Sequence, residues 1–232
     1  MRTSVAAALI GVMVFPAVAR AGEWHEKVKI KGDVRHRHEL IRQEDKEDQN
    51  RWRIRARLSV AAEISDAWSA VIGLASGSDD PVSTNQTLTD GFATKQFGLD
   101  LAYFDFHPAS IEGLRLVGGK MNLPFETAEK TELLWDGDLN PEGLALRYDR
   151  GLGEKASMYL NGGGFYVKDR DPDDESYVGG IQAGFSVKAT DRVKISAGIG
   201  YYDYEGAEGM SFFYNAAKSY GNSKTVIGTT EE

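Results

Sequence analysis

Residues 51–63 read Arg51-Trp52-Arg53-Ile54-Arg55-Ala56-Arg57-Leu58-Ser59-Val60-Ala61-Ala62-Glu63. Trp52, Ile54, Ala56, Leu58 and Val60 fall on one parity and Arg51, Arg53, Arg55 and Arg57 on the other. Strict alternation over this length predicts a β-strand, because successive side chains of a strand point to opposite sides of its sheet. One face of the strand is apolar and the other cationic. The stretch before it has the same build over 28–40, where Val28, Ile30, Gly32 and Val34 oppose Lys29, Lys31, Asp33, Arg35 and Arg37. Four arginines at every second position must face water, since isolated charges are too costly to bury.

Moving outward, the same period predicts strands at 68–76, 96–107, 113–121, 143–150, 155–167, 176–189 and 191–204, nine in all with the first two. Two break the alternation: 97–106 is apolar on both sides, and 114–120 slips so that Lys120 falls on the apolar face. A β-bulge in each would restore the register. The connections alternate in length. Short ones lie at 64–67, 108–112, 151–154 and 190–191; long ones lie at 41–50, 77–95, 122–142, 168–175 and from 205 onward. Short turns on one side and long loops on the other are the habit of a transmembrane β-barrel, with its short turns in the periplasm. A soluble β-sandwich has no reason to keep that alternation through four cycles. The expected fold is therefore all-β, an antiparallel transmembrane barrel over 22–232. Trp52, Trp68, Tyr103, Phe104, Tyr148, Tyr166, Tyr177, Tyr201 and Tyr202 lie near strand ends and are expected to form its interfacial girdles.

The first 21 residues read as a secretory signal peptide. Arg2 is followed by the apolar run from Val5 to Val18 and the small-x-small site Ala19-Arg20-Ala21, which places cleavage after Ala21. After it no apolar stretch approaches the roughly 20 residues that a spanning helix requires; export without helices leaves the periplasm, the medium or the outer membrane, and the barrel pattern makes the outer membrane the expected location. The chain has no cysteine, which removes disulfides, thiol chemistry and cysteine metal sites. Removing Arg2 and Arg20 from 27 basic residues leaves 25 against 35 acidic ones, a net charge of −10 that argues against a nucleic-acid partner.

The chemistry of such a barrel is electrostatic, carried by side chains that face a water-filled lumen. Lys29, Lys31, Arg35, Arg37, Arg51, Arg53, Arg55 and Arg57 would form a cationic ladder on one wall; Arg115 and Arg147 are lumen candidates on later strands, and Asp33, Asp100 and Asp149 are counter-charges. The expected partners are outer-membrane lipid and small hydrophilic solutes or ions. His36 and His38 share a face, but it is the apolar one, so they read as an interfacial pair and not as metal ligands. Asp136-Gly137-Asp138-Leu139-Asn140 has the oxygen spacing of a calcium loop but carries Pro141 where the turn glycine belongs, and loop solvation is the reading preferred for it and for 169–174. With four histidines and no Ser-His-Asp arrangement legible from spacing, no catalytic residue and no enzyme activity is expected.

Several segments together have a familiar order: Gly73-Leu74-Ala75-Ser76-Gly77, Thr84-Asn85-Gln86-Thr87-Leu88, Leu99-Asp100-Leu101-Ala102-Tyr103-Phe104-Asp105, Gly119-Lys120-Met121-Asn122-Leu123-Pro124-Phe125 and Leu134-Trp135-Asp136-Gly137-Asp138-Leu139-Asn140-Pro141-Glu142-Gly143. Over about 24–220 the chain resembles the putative porin family of Gram-negative bacteria. The resemblance implies an outer-membrane diffusion pore without a cofactor, makes the Trp135 to Gly143 stretch a structural family loop, and assigns no solute. Porins are often trimers, so a homo-oligomer is a further expectation. Family members are usually longer, bacterial barrels use an even number of strands, and the last residues lack a closing strand; the expectation is a barrel incomplete at its C-terminus. The alternatives are a narrow, non-conducting barrel serving as adhesin or structural anchor, and a secreted soluble β protein.

Overall fold

A computed structural model describes residues 24–44, 47–89, 91–128, 131–169, 175–208 and 210. The signal-peptide reading, the acidic stretch at 170–174 and the chain beyond 210 lie outside the described residues. After a single helical turn, α1 (Trp24–Lys27), the chain is a succession of antiparallel strands: β1 (Val28–Ile41), β2 (Gln49–Ser65), β3 (Trp68–Ser76), β4 (Gln86–Thr87), β5 (Phe97–Phe106), β6 (Leu114–Lys120), β7 (Glu142–Leu152), β8 (Ala156–Lys168), β9 (Ser176–Thr190) and β10 (Val193–Glu205). They form one 10-stranded sheet in which each long strand pairs with the next, while β4 pairs with β2. All nine expected strands are present, and β4 is an addition. β1 and β10 lie at the two ends of the strand order and do not pair with each other.

Register puts the alternation onto two faces. Pairings such as Ile30↔Val60 and Val60↔Ile72 stack apolar residues on one face, which we call outer. Val34 and Ile199, at opposite ends of the sheet, are each 78% exposed there, and Ile72, Leu144, Ile181 and Ile195 are exposed as well. An apolar surface running across nine long strands far exceeds the few hundred Å² that soluble monomers tolerate. The interior of the protein lies on the other side. Val117, Met121, Phe125, Trp135, Ala145, Phe165 and Val178 form the buried cluster, in which residues of the inner sheet face meet residues of the 121–141 loop.

The two irregular strands resolve differently. In β5 the pairing passes from Gly73↔Leu101 to Leu74↔Leu99, leaving Asp100 as a bulge residue. That extra residue returns Leu99 and Phe97 to the outer face beside Phe104 and accounts for the double-apolar pattern. β6 has no bulge. Its pairing with β5 and β7 is continuous, and Gly119 takes φ +121°, where an added Cβ would lie 2.2 Å from the carbonyl oxygen of Ala102. Only glycine fits there. Lys120 stays at the rim, its Nζ donating to Asn140 O (3.1 Å) and Glu142 Oε1 (3.0 Å).

Two of the expected girdle residues face inward. Tyr103 and Tyr202 pack against the buried cluster, because Tyr103 pairs with Val71 and Tyr202 with Gly180, both on the inner face. The outer face keeps the others where they are resolved in contact. Trp68 lies against Phe104 and Phe106 near the short-turn end, Trp52 stacks on His36 at 5.0 Å near the long-loop end, and Tyr166 lies against Tyr177. The histidine pair therefore sits with a tryptophan on the apolar face.

Candidate functional site: the cationic wall and its loops

The ladder begins with strand pairing. β1 is joined to β2 over its whole length, with Asp33↔Arg57, Arg35↔Arg55, Arg37↔Arg53 and Glu39↔Arg51 directly opposite one another. Directly opposite side chains share a face, so Lys29, Lys31, Arg35, Arg37, Arg51, Arg53, Arg55 and Arg57 stand together on the inner face. From Lys29 to Arg37 the ladder follows about 27 Å of strand at ~3.4 Å per residue. Arg115 and Arg147 are on the same face, directly opposite each other on β6 and β7. All ten residues expected to line a lumen thus share one side of the sheet.

Carboxylates partly neutralise the wall. Asp33 accepts from Arg55 (2.8 Å) and Arg57 (2.7 Å), Glu39 from Arg51 (2.6 Å) and Arg37, and Glu63 pairs with Lys29 (2.8 Å) at the short-turn end. Asp105, nearly buried, holds Arg115, and Glu126 lies 3.2 Å from Arg147. Of the three expected counter-charges, Asp33 meets the ladder, Asp149 lies 4.0 Å from Arg147, and Asp100 accepts instead from Asn140 Nδ2 at 2.8 Å. On the first wall eight cations face the carboxylates of Asp33, Glu39, Glu63 and the loop residue Asp138, and a positive excess remains.

Two long loops, which alternation alone marks only as connections between strands, close over this face. β2 has 17 residues and β3 only 9, so β3 ends at Ser76 and leaves the upper half of β2 without a partner on the edge away from β1. Unpaired buried backbone is expensive, and the 77–96 loop folds back to satisfy it. β4 pairs with Arg53 and Ile54, Leu88 N donates to Trp52 O (2.9 Å), and Ser76 Oγ accepts from Ala56 N (2.8 Å) while donating to Thr84 O (3.1 Å). This fold-back brings Ser83 and Asn85 onto Arg53 and Arg35.

The 121–141 loop covers the other half. Gln182 of β9 clamps its backbone, accepting from Glu126 N and donating to Glu126 O, both at 2.8 Å. Phe125 packs edge-on against Tyr202 of β10 at 4.9 Å and Phe165 of β8 at 6.0 Å, and Trp135 lies 5.1 Å from Tyr202. Small inner-face residues make the room: a Cβ on Gly180 would lie 2.6 Å from the Phe125 ring. Three residues past Trp135, Asp138 reaches Arg57 of β2 at 3.5 Å.

These two contacts mean that the sheet is curled. Seven inter-strand spacings separate β2 from β10, about 34 Å across a flat sheet at ~4.8 Å each. The stretch from Trp135 to Asp138 spans about 10 Å when fully extended, and here it is folded into a turn, with Leu139 N bonded to Asp136 O at 3.2 Å. Strand side chains stand roughly perpendicular to their sheet and add little lateral reach. The wall therefore bends inward around the loop.

The space that remains lies along the cationic half. A cavity of about 450 Å³ runs between the loop tip at Gly137, Asp138 and Asn140 and the inner face of β1 to β5, with Lys29, Lys31 and Arg57 on its wall. The calcium reading finds no support in this arrangement. Among the described residues no cluster of acidic or histidine side chains has metal-binding geometry. Nor are the acidic residues of the loop simply solvated: Asp138 accepts from Thr84 N at 3.4 Å as well as facing Arg57, and burial pushes the Asp136 carboxyl above the ordinary carboxylate range, helped by the charges of Glu132, Asp138 and Asp80. The loop's apolar residues, Met121, Leu123, Phe125, Trp135 and Leu139, were the available signal that it packs inward.

No curated protein matches this chain. A family model described as putative porin matches residues 41–227, which takes in β2 to β10 and both inward loops. A matched span that covers most of the chain, over a sheet with one exposed apolar face and one charged, loop-covered face, has one consequence: the chain belongs to the putative porin family.

Proposed function

We propose that the chain forms the wall of a water-filled channel in the bacterial outer membrane, through which small hydrophilic solutes and ions diffuse, with a preference for anions. The observation that carries this reading is the division of one curled sheet into an exposed apolar face and an inner face bearing Lys29, Lys31, Arg35, Arg37, Arg51, Arg53, Arg55 and Arg57. A bilayer accepts strands only when every backbone group is paired, which a closed barrel achieves; closure between the β1 and β10 edges, by further strands or further copies, belongs to this proposal. The outer face then meets lipid. The packed 121–141 loop narrows the lumen on the β6 to β10 side and leaves the passage against the cationic wall, where the field favours anions. The aqueous path needs no bound group and no reacting side chain, so the proposal includes no catalysis and no cofactor.

The test is planar-bilayer conductance with reversal potential measured in a salt gradient, on the full chain from outer membranes and on Arg53→Glu/Arg55→Glu. Stable steps with anion preference, reduced or inverted in the double variant, support the reading. A folded, membrane-inserted chain that does not conduct overturns it in favour of a non-conducting anchor.

A further inference from the structure

Within the ladder the charges are unevenly matched. Asp33 is opposite Arg57, and Glu39 is opposite Arg51; between them two like-charge pairs face each other directly, Arg35 with Arg55 and Arg37 with Arg53. Like charges at directly opposite positions of a sheet repel. Arg55 has Asp33 and Arg37 has Glu39. Among the described residues Arg35 meets only an amide: its Nη2 donates to Asn85 Oδ1. Arg53 lies 3.8 Å from Glu39 and otherwise donates to Ser83 Oγ and the Asn85 carbonyl, both at a long 3.3 Å. Among the described residues, the Nε atoms of Arg35, Arg37 and Arg53 are all enclosed without an acceptor. On the paired strands β1 and β2, Arg35 and Arg53 beneath the 77–96 loop and Arg37 opposite Arg53 thus keep donors that no described residue accepts, although buried donors are ordinarily satisfied.

We propose that Arg35, Arg37 and Arg53 form an oxyanion-binding step in the passage, for a solute carrying a phosphate, sulfate or carboxylate group. The planar fork of a guanidinium matches two oxygens of such a group, which a spherical halide cannot offer. Ser83 and Asn85, brought there by the pairing of β4 with β2, supply neutral hydrogen-bonding groups beside the cations. The oxyanion is a free solute and not a lipid headgroup, because these side chains share the face opposite to the exposed apolar one. This deepens the channel reading and rests on it for the site's place along a solute path.

The experiment uses inorganic phosphate as the probe, with the full chain in lipid-free detergent micelles, and follows the broadening of the phosphate phosphorus resonance; bilayer conductance is measured in parallel. Arg35→Lys/Arg53→Lys keeps both charges but removes the forks. The expected result is saturable phosphate binding that weakens roughly tenfold to a hundredfold in this variant, as loss of hydrogen bonds to a charged group implies. A conducting chain that binds no phosphate, or a lysine variant that binds as well as the parent, overturns the oxyanion site and leaves the channel standing. Phosphate binding without conductance overturns the channel and leaves the site.

Discussion

Replacing Phe125 with alanine tests whether the 121–141 loop is held in the lumen by packing. Phe125 is 5% exposed and touches Trp135, Phe165 and Tyr202, two of them edge-on. Truncating a buried phenylalanine costs about 3–5 kcal/mol, and each aromatic contact contributes about 0.5–1.5 kcal/mol beyond area burial. The lower end applies here, because the loop can settle into part of the gap. A loss of about 3 kcal/mol raises the unseated population of the loop by about two orders of magnitude, at 1.4 kcal/mol per factor of ten. The sheet does not depend on Phe125 for its pairing, so heat-modifiable migration on gels should be retained. Limited proteolysis within 121–141 should become rapid, and single-channel conductance should rise and become noisier. Unchanged protease resistance together with unchanged conductance would refute the argument that this apolar cluster seats the loop.

Gly180→Val should act in the same way, because its Cβ would lie 2.6 Å from the ring of Phe125 and 2.7 Å from that of Tyr202, whereas Gly179→Val, with nothing within 4 Å, should be silent in the same proteolysis assay. Asp33→Asn leaves Arg55 and Arg57 without their shared carboxylate; the reversal potential should shift further toward anions, while thermal stability falls by only about 1 kcal/mol, as for a partly exposed pair. Asp136 binds its proton more tightly in the seated loop than in a free one, so loop seating weakens as pH rises from the ordinary carboxylate range through its raised pKa. Protease protection of the loop should accordingly be greater in mild acid than at neutral pH, and Asp136→Asn, which keeps the oxygen that accepts from Asp138 N, should abolish that difference.

The strands were legible because their information is local. Alternation at Arg51 to Val60 states both the element and its faces, and the nine predicted strands fall within a few residues of those observed. The ten cationic candidates followed from parity alone, and the structure places them on one face. The loops were not legible, since their path depends on partners distant in sequence. Nothing in 77–96 reveals that β3 stops short of the end of β2, yet that mismatch draws β4 and Asn85 onto the wall. The inward aromatics were misread for a related reason: Tyr103 and Phe104 are neighbours that take opposite faces through the pairings Val71↔Tyr103 and Ala70↔Phe104, and the bulge at Asp100, which returns Leu99 and Phe97 to the outer face, hides that parity in the sequence. The apolar content of 121–141, set against small inner-face residues such as Gly143, Ala145, Gly163 and Gly180, was visible in the sequence and joined only by the fold.

The central claim is that the cationic face lines an aqueous path and the apolar face meets lipid. The chain has no cysteine, so Lys31→Cys and Val34→Cys, three residues apart on β1 and on opposite faces, can be compared without background. The measurement is bilayer conductance before and after a charged, membrane-impermeant thiol reagent. The account predicts a stepwise fall in current and a changed anion preference for Lys31→Cys, with no response from Val34→Cys. A response from Val34→Cys with none from Lys31→Cys would place water on the other side of the sheet and contradict it.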